Sequence, residues 1–498
     1  MSQSIFSNRF ARIAALVVLF GAAFGIRMYD LTDLPLDFHP TRQLLSAIRA
    51  RGLFYETQPD GYPTWKLEAG IQHMRSKADI EPVVYERLVA FTYRFTDEHV
   101  WIARIYSSVF WMIGAVFLFL LVRDLVSFEG ALVAAAYYLL FPYAVIASRS
   151  FQPDIPMIAL TISFWWMLFR WMRSPSWMNS VLSGLLGGFA IFIKFPAAFF
   201  VIGGALGLLL SRFSFRELLR NARVWLIAVL GALPPLAYVI YGVFDGRLAT
   251  EFGGNFIPAL MFSPLNYLNW LTKADTAAGG IFIMLGLLGF FLVKNERLRA
   301  LMFGLWGGYL LFGSYFNYHA GTHDYYHMPL IPIVALSLAP LGELVLARLA
   351  ESASSPWVRS GMYVILLLGM FSVVWSVRNQ MKAVDYRPEA AMWAEIGEKL
   401  NHETTAVALT EDYGSRLQYF GWTSAAYWPA SGDLYAASLR GNNFDFEKEF
   451  SRRIQSKAYF LVTDFNDLKA QPELQARLAT YPIFAQGEGY VIYDLENR

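Results

Sequence analysis

Asp37, His39 and Arg42 fall within one ten-residue stretch, LPLDFHPTRQ, directly after the first apolar run of the chain. Further on, Glu81 opens EPVVYE, Arg149 and Asp154 lie in SRSFQPDIP, and Lys194 interrupts IFIKFP. His319, His323, Asp324, Tyr325, Tyr326 and His327 crowd into NYHAGTHDYYHMPLIP. A carboxylate can take the proton of a hydroxyl, and a lysine with an arginine can hold a phosphate or pyrophosphate. Together these residue types suit transfer of a group from a phosphate-bearing carrier.

Each residue also has a structural reading. Asp37 could cap the helix that starts near Thr41, and Asp154, followed by Pro156, reads equally well as an N-cap with proline in the first turn. Lys194 is harder to dismiss, because a lysine in so apolar a run needs a partner or a route to water. The spacing of His319, His323 and His327 would align them on one helical face, but Gly321 and the aromatics favour a loop. Glu81 is a candidate second carboxylate, and Glu81 with His323 are candidate ligands of a divalent cation. Tyr325 and Tyr326 read as interfacial anchors.

The elements that must position these residues are membrane helices. Of 498 residues, 56% are hydrophobic and 16% charged, with mean hydropathy +0.37. That is too apolar for a soluble protein of this length. Lysines and arginines form short clusters between apolar runs, not a stripe, which excludes a nucleic-acid partner. No cysteine is present, which excludes disulfides and thiolate chemistry. Apolar windows near the ~20 residues needed to span a bilayer fall at 10–28, 104–122, 130–147, 155–172, 179–193, 195–211, 224–243, 277–293, 300–316, 328–347 and 360–377, giving about 11 candidate helices. The first is read as an uncleaved anchor. The loops carrying Arg123, Arg170, Arg173, Arg212–Arg223, Lys294–Arg299, Arg348 and Arg359 then face the cytoplasm by the positive-inside rule. The opposite loops hold all seven histidines and the candidate residues above.

The expected organisation is a transmembrane module over 1–384 and an outward soluble α/β domain over 385–498. The first outward loop, 29–103, should carry two juxtamembrane helices, in TRQLLSAIRARGLFYE and EPVVYERLVAFTYRF, lying along the headgroup layer. A Gly/Pro-containing loop at 244–276 reads as a flexible outward loop able to cover a site. In the tail, PEAAMWAEIGEKL and PELQARLATY read as helices, and TAVALT, KAYFLVTDF and GYVIYDL as strands. Helix centres are almost free of charge and the ionisable groups gather at one face. Such a site suits a substrate with its tail in lipid and its head at the surface.

These residues resemble the GT-C superfamily of integral membrane glycosyltransferases, and within it the family 39 branch of protein O-mannosyltransferases and aminoarabinose transferases. The likeness rests on Asp37 in the first outward loop, on EPVVYE, SRSFQPD and IFIKFP, and on YYHMPLIPIVAL, and it covers roughly residues 1–350. Where many relatives have Asp-Glu in the first loop, this chain has Asp37-Phe38-His39, and IFIKFP has phenylalanine in place of a glycine. The resemblance implies an inverting transferase that uses a polyprenyl-phosphate-linked sugar. Asp37 would be the general base, and Lys194 with Arg149 would neutralise the departing lipid phosphate. Asp154, Glu81 and His39 would orient the acceptor or a divalent ion, with Arg42, His323, Asp324, Tyr325 and His327 lining the site. The expected setting is the bacterial inner membrane, with Asp37 and the tail on the extracytoplasmic side among membrane lipids. The acceptor is left open as lipid, glycan or protein. The rival readings are a flippase for lipid-linked sugars, which would need a polar path through the bilayer, an O-antigen-ligase-like transferase, and a non-catalytic scaffold.

Overall fold

The computed structural model describes the chain except residues 1–4, 7, 79–80, 247, 249–255, 353–354 and 498. Two compact units divide it: Met1–Leu31, Asp79–Tyr85 and Trp101–Ala383 form the first, and Thr32–Ala78, Glu86–Val100 and Val384–Arg498 the second. Most of the 29–103 loop is therefore grouped with the tail, a pairing that a linear boundary at 384/385 does not express.

In the first unit every predicted apolar window holds a helix. Among the described residues, six are long and apolar enough to cross a bilayer: Arg9–Arg27, Trp101–Leu125, Asp154–Arg173, Ala222–Phe244, Leu330–Ser352 and Pro356–Lys382. Pro264–Ala278 and Gly280–Leu292, bent by 90°, make a seventh if counted as one span. The window 300–316 gives the continuous 20-residue helix Glu296–Tyr315, and the remaining windows give shorter or broken helices. Pro142 splits one window into Phe128–Leu140 and Pro142–Ala147, because a proline disfavours helical backbone at the residue before it. Asp154–Arg173 is the innermost span, 83% buried, and Pro356–Lys382 the outermost at 6%, so the latter's apolar surface is left for lipid. Of the loop expected at 244–276, Arg247, Gly253 and Gly254 lie outside the described residues, whereas its later part, Pro264–Ala278, is helical with Ser263 as N-cap.

Close helix packing in this unit depends on small residues. Gly203 on Ala197–Leu210 lies against Gly304 on Glu296–Tyr315, and a Cβ on either would collide with the other's carbonyl oxygen. Gly207 and Gly308 each approach backbone of the facing helix in the same way. Lipid tails are as apolar as leucine, so such backbone-to-backbone contact is what drives these helices together.

The second unit is built on a five-stranded sheet: β1 (Ala406–Leu409), β2 (Ala426–Tyr427), β3 (Tyr459–Val462), β4 (Ile483–Gly487) and β5 (Tyr490–Asp494), in spatial order β2-β1-β3-β5-β4. The β1 pairs are parallel, and β5 runs antiparallel to both β3 and β4. Val407, Leu409, Phe460 and Val462 fill one core with Trp428. Ala406, Ala408, Leu461 and Ile492 fill the other with Trp393 and Ile396 of the helix Glu389–Lys399. Strand residues alternate between two buried faces, as an α/β sheet covered on both sides requires. The two short edge strands β2 and β4 were not anticipated: one is two residues long and the other mostly exposed.

The helix expected to lie along headgroups, Pro40–Tyr55, is instead buried within this unit. Arg51 is 6% exposed; it pairs with Glu98 at 2.8 Å and donates to the Tyr419 carbonyl at 2.6 Å. Its guanidinium lies 3.7 Å from the Tyr419 ring centre and 4.1 Å from that of Trp422. The Tyr55 and Tyr419 hydroxyls donate to the same Glu98 carboxylate at 2.9 and 2.7 Å. Arg49, also buried, donates to the Ala78 carbonyl. The alternation of arginine with aliphatic residues marks a helix buried on most of its circumference, whose cations are matched by partners distant in sequence. The second expected helix, Val84–Thr96, does present an apolar face, with Phe91 and Phe95 exposed one turn apart.

Three outcomes test these contacts. Gly304→Val should prevent stable packing of its helix pair, read as loss of a monodisperse peak in detergent. Glu98→Ala strands a buried guanidinium and should cost about 3–5 kcal/mol, whereas Arg51→Met with Glu98→Leu should recover much of that loss in thermal unfolding. Burial, with Arg51 and Lys77 nearby, lowers the His73 pKa to about 4. Between roughly pH 6.5 and 4 the unfolded chain therefore binds a proton that the folded chain refuses. Stability should fall with falling pH there by at most about 1.4 kcal/mol per unit, and His73→Gln should flatten that slope.

Candidate active site

Lys194 follows the last residue of Trp177–Ile193 in extended backbone, φ −154° and ψ 116°. Pro196 two residues on favours that break, and the next helix starts at Ala197. The ammonium is thus delivered at a helix end but remains only 6% exposed. Its Nζ lies 2.6 Å from Asp154 Oδ2 and 3.6 Å from Glu81 Oε1. Asp154 opens Asp154–Arg173 as its first residue, with Pro153 at the N-cap position and Pro156 in the first turn. Its carboxylate pairs with the lysine, a partner that neither sequence reading named. The Tyr325 ring centre stands 5.6 Å from Nζ. The Tyr143 hydroxyl faces Asp324, with Asp154 and Tyr325 nearby.

The result is a buried polar nest at the ends of several apolar helices: one cation, three carboxylates (Glu81, Asp154, Asp324) and two phenols. Desolvating Lys194 alone costs several kcal/mol, and only paired counter-charges with good geometry offset that. The carboxylate excess leaves the nest able to take up a further positive or hydrogen-bond-donating group, such as the hydroxyls of a sugar. Sequence reading did not find Tyr143; its only local signal is the Pro142 break before it.

Asp37 belongs to the second unit. It is half-buried and accepts from Gln43 Nε2 at 3.2 Å, while the same amide holds the Phe38 carbonyl at 2.7 Å. Asp37 does not cap the helix Pro40–Tyr55. That task falls to Asp412, whose Oδ1 accepts from the Thr41 backbone N–H at 3.1 Å and from Thr41 Oγ1 at 2.7 Å. Arg416 anchors Asp412 at 2.6 Å and also meets Glu389 and Glu411. Burial, then Asp37 and Glu389, push the Tyr386 phenol above its usual pKa of 10, which places that ring beside the aspartate. His39 stands at the N-cap position in left-handed backbone, φ 44°, without a side-chain capping bond, its ring edge-on to Phe38 at 4.6 Å. Arg42 sits half-buried in the first turn.

Other expected residues have structural duties. Arg149 is 1% exposed; its Nη2 donates to the Tyr29 and Asp30 carbonyls at 2.6 and 2.9 Å, and Nη1 lies 2.9 Å from Met381 Sδ. It pins the end of the first helix, so those donors are committed to main chain and not presented to a phosphate. His327 is fully buried, with Nδ1 2.7 Å from the Tyr309 hydroxyl and Nε2 2.9 Å from the Ala320 carbonyl; it packs the core and does not line a cavity. His319 lies in the helix Asn317–Thr322, His323 is the break residue after it and His327 ends the 3-10 turn Asp324–His327, so the three histidines do not share one face of a continuous helix. His323 Nδ1 pairs with Thr322 Oγ1 at 2.7 Å. Tyr325, read as an interfacial anchor, is buried against Lys194. Among the described residues no three histidines or carboxylates converge as a metal set, and Glu81 Oε1 lies 3.6 Å from Lys194 Nζ.

The fold is that of a polytopic α-helical membrane protein with a small C-terminal sheet. The structure is similar to that of ArnT from Cupriavidus metallidurans bound to undecaprenyl phosphate, with TM-score 0.57, 13% identity and 97% of each chain covered. It is also similar to the archaeal oligosaccharyltransferase AglB from Archaeoglobus fulgidus in complex with an inhibitory peptide and a dolichol-phosphate, with TM-score 0.54 and 11% identity, covering 98% of this chain and 74% of that one. At these identities the likeness is one of fold. In sequence, residues 81–241 match the dolichyl-phosphate-mannose-protein mannosyltransferase family, a stretch that contains Glu81, Asp154 and Lys194. No curated protein sequence matches the chain.

Lys194→Ala would leave Asp154 and Glu81 buried together without their cation, and should lower stability by about 3–5 kcal/mol. Lys194→Arg should retain most of that stability in the same thermal assay.

Proposed function

We propose that this protein is an inverting glycosyltransferase that moves a sugar from a polyprenyl-phosphate carrier to an acceptor hydroxyl at the outer face of the membrane. The observation that carries the reading is the Lys194–Asp154–Glu81 nest, a preorganised buried cation within the stretch that matches the mannosyltransferase family. The fold supports it, since the similar ArnT and AglB structures hold undecaprenyl phosphate and dolichol-phosphate.

In this mechanism Asp37 removes the proton of the acceptor hydroxyl as its oxygen attacks the anomeric carbon. Gln43 and the capped helix start behind Asp37 fix its direction. The bond from sugar to phosphate oxygen breaks and negative charge builds on the departing lipid phosphate. Lys194 stabilises that charge, an interaction stronger in the transition state than in the ground state. Asp154 and Glu81 hold the ammonium and accept from hydroxyls of the substrate. One displacement with one base inverts the anomeric centre; retention by double displacement would require a second, nucleophilic carboxylate. The donor lies with its isoprenoid tail in lipid, and the loops with Asp37 and the tail domain face away from the cytoplasm. A divalent cation could add to that positive charge at the carboxylates of the nest, which outnumber Lys194.

Asp37→Asn should fold normally and lose about 10²–10⁴-fold of sugar transfer, measured with membrane extracts as donor source. A folded Asp37→Asn protein that still transfers sugar would refute the base assignment. Mass spectrometry of copurifying lipids should find a polyprenyl phosphate or its glycosylated form.

A further inference from the structure

A groove opens at the arginine-rich end of the helical unit. With a volume of about 710 Å³, it runs between the helices Arg9–Arg27, Phe128–Leu140, Leu330–Ser352 and Pro356–Lys382, within the range of roughly 300–1,000 Å³ typical of ligand pockets. Small side chains carve it: Ala11, Ala14 and Ala15 occupy one stripe of the first helix, and Ala136 faces them. Along Pro356–Lys382 the lining extends from Pro356 to Met370, about 21 Å at 1.5 Å per residue. That is more than half of a ~30 Å hydrocarbon core.

The two ends of the groove differ. Its inner part is aliphatic, with Leu19, Leu140 and Leu367, and water there would lack the two or more polar partners it needs. Its mouth carries Asn8, Ser355, Arg359 and Ser360. The mouth is held in shape by specific bonds. The Tyr363 hydroxyl donates to the Ile5 carbonyl at 2.6 Å, and Arg12 Nε donates to the Phe6 carbonyl at 3.0 Å. Asn8 Oδ1 accepts from the Ala11 N–H at 2.6 Å. Ile5 and Phe6 are thereby folded back and buried against Leu346 and Ala350. Charge at this end is positive: Arg9, Arg12 and Arg359 lie there with Glu129, while Arg348 is paired with Glu351.

We propose that the groove is a binding site for one anionic phospholipid, with an acyl chain along the alanine stripe and the phosphate at Arg359, Ser355 and Ser360. By the positive-inside rule this end lies in the cytoplasmic leaflet, away from the Lys194 nest. The occupant is a resident membrane lipid and not the sugar carrier. Bound there, it ties two of the least buried spans of the unit, Arg9–Arg27 and Pro356–Lys382, to the inner bundle.

The test uses the full chain in detergent, delipidated and then titrated with phosphatidylglycerol, phosphatidylcholine or undecaprenyl phosphate. Native mass spectrometry and thermal unfolding are the readouts. One phosphatidylglycerol should bind and raise Tm, at least about tenfold more tightly than phosphatidylcholine, as expected for a charge-assisted phosphate contact. Arg359→Gln should abolish that preference, and Ala136→Phe should remove the bound lipid by filling the groove. If Ala136→Phe is not monodisperse, Ala14→Leu gives the same readout. Equal binding of the two phospholipids, tighter binding of undecaprenyl phosphate at this site, or undiminished occupancy in the filled-groove variants would overturn the proposal.

Discussion

An ammonium buried among apolar helix ends sets the terms for the first unit. Lys194 cannot stay charged in a low-dielectric interior without counter-charges at hydrogen-bond distance, because the cost of desolvation exceeds what marginal packing can offset. Asp154 at 2.6 Å and Glu81 at 3.6 Å meet that need. Glu81 and Asp154 each adjoin a proline, Pro82 and Pro153, and Pro196 stands two residues past Lys194, where helices start or stop. Proline-directed breaks thus bring three charged groups from separate segments into one nest, and the fold of the surrounding helices is constrained by their meeting.

The same physics recurs in the second unit with different partners. Arg51 is buried between the Tyr419 and Trp422 rings and neutralised by Glu98, and Asp412 caps a helix through Thr41, 371 residues earlier in the chain. Asp412 and Tyr413 both adopt left-handed backbone, φ 56° and 54°, a conformation that costs about 1–3 kcal/mol per non-glycine residue and is retained where surrounding contacts enforce it. Those contacts here are the Thr41 cap and the Arg416 anchor. The segment carrying Asp37 is therefore fixed by the tail domain: Asp33 Oδ1 accepts from the Tyr386 N–H, and Thr41 is held by Asp412. The tail thereby holds in place the segment that carries Asp37.

The functional reading joins two kinds of group that these arrangements keep ready. A half-buried carboxylate with a partly solvated position can accept a proton, and a caged cation can stabilise charge that appears only as a phosphate leaves. Both are preorganised, so little reorganisation is needed at the moment of reaction, which is where electrostatic catalysis gains most. Tyr143 and Asp324 extend the polar nest and give it surfaces for hydroxyl groups. Arg149 and His327, equally polar, instead stabilise helix ends and core, showing that polarity at a helix terminus does not by itself imply contact with substrate.

Local order was legible in the sequence because it is written in neighbours. Apolar windows became helices, alternating residues became β1, β3 and β5, and Pro142 and Pro196 broke helices through steric contacts with adjacent backbone. The demand of Lys194 for a partner was legible too, since the cost of a charge in an apolar run does not depend on which carboxylate answers it. What the sequence could not name was the partner. Whether Asp154 caps or pairs, whether Arg51 faces headgroups or Glu98, and whether Arg149 meets a phosphate or the Tyr29 carbonyl all depend on groups 40 to 368 residues apart. Only tertiary packing brings such groups within 3 Å, and the short range of hydrogen bonds and ion pairs in a low-dielectric interior then selects among them.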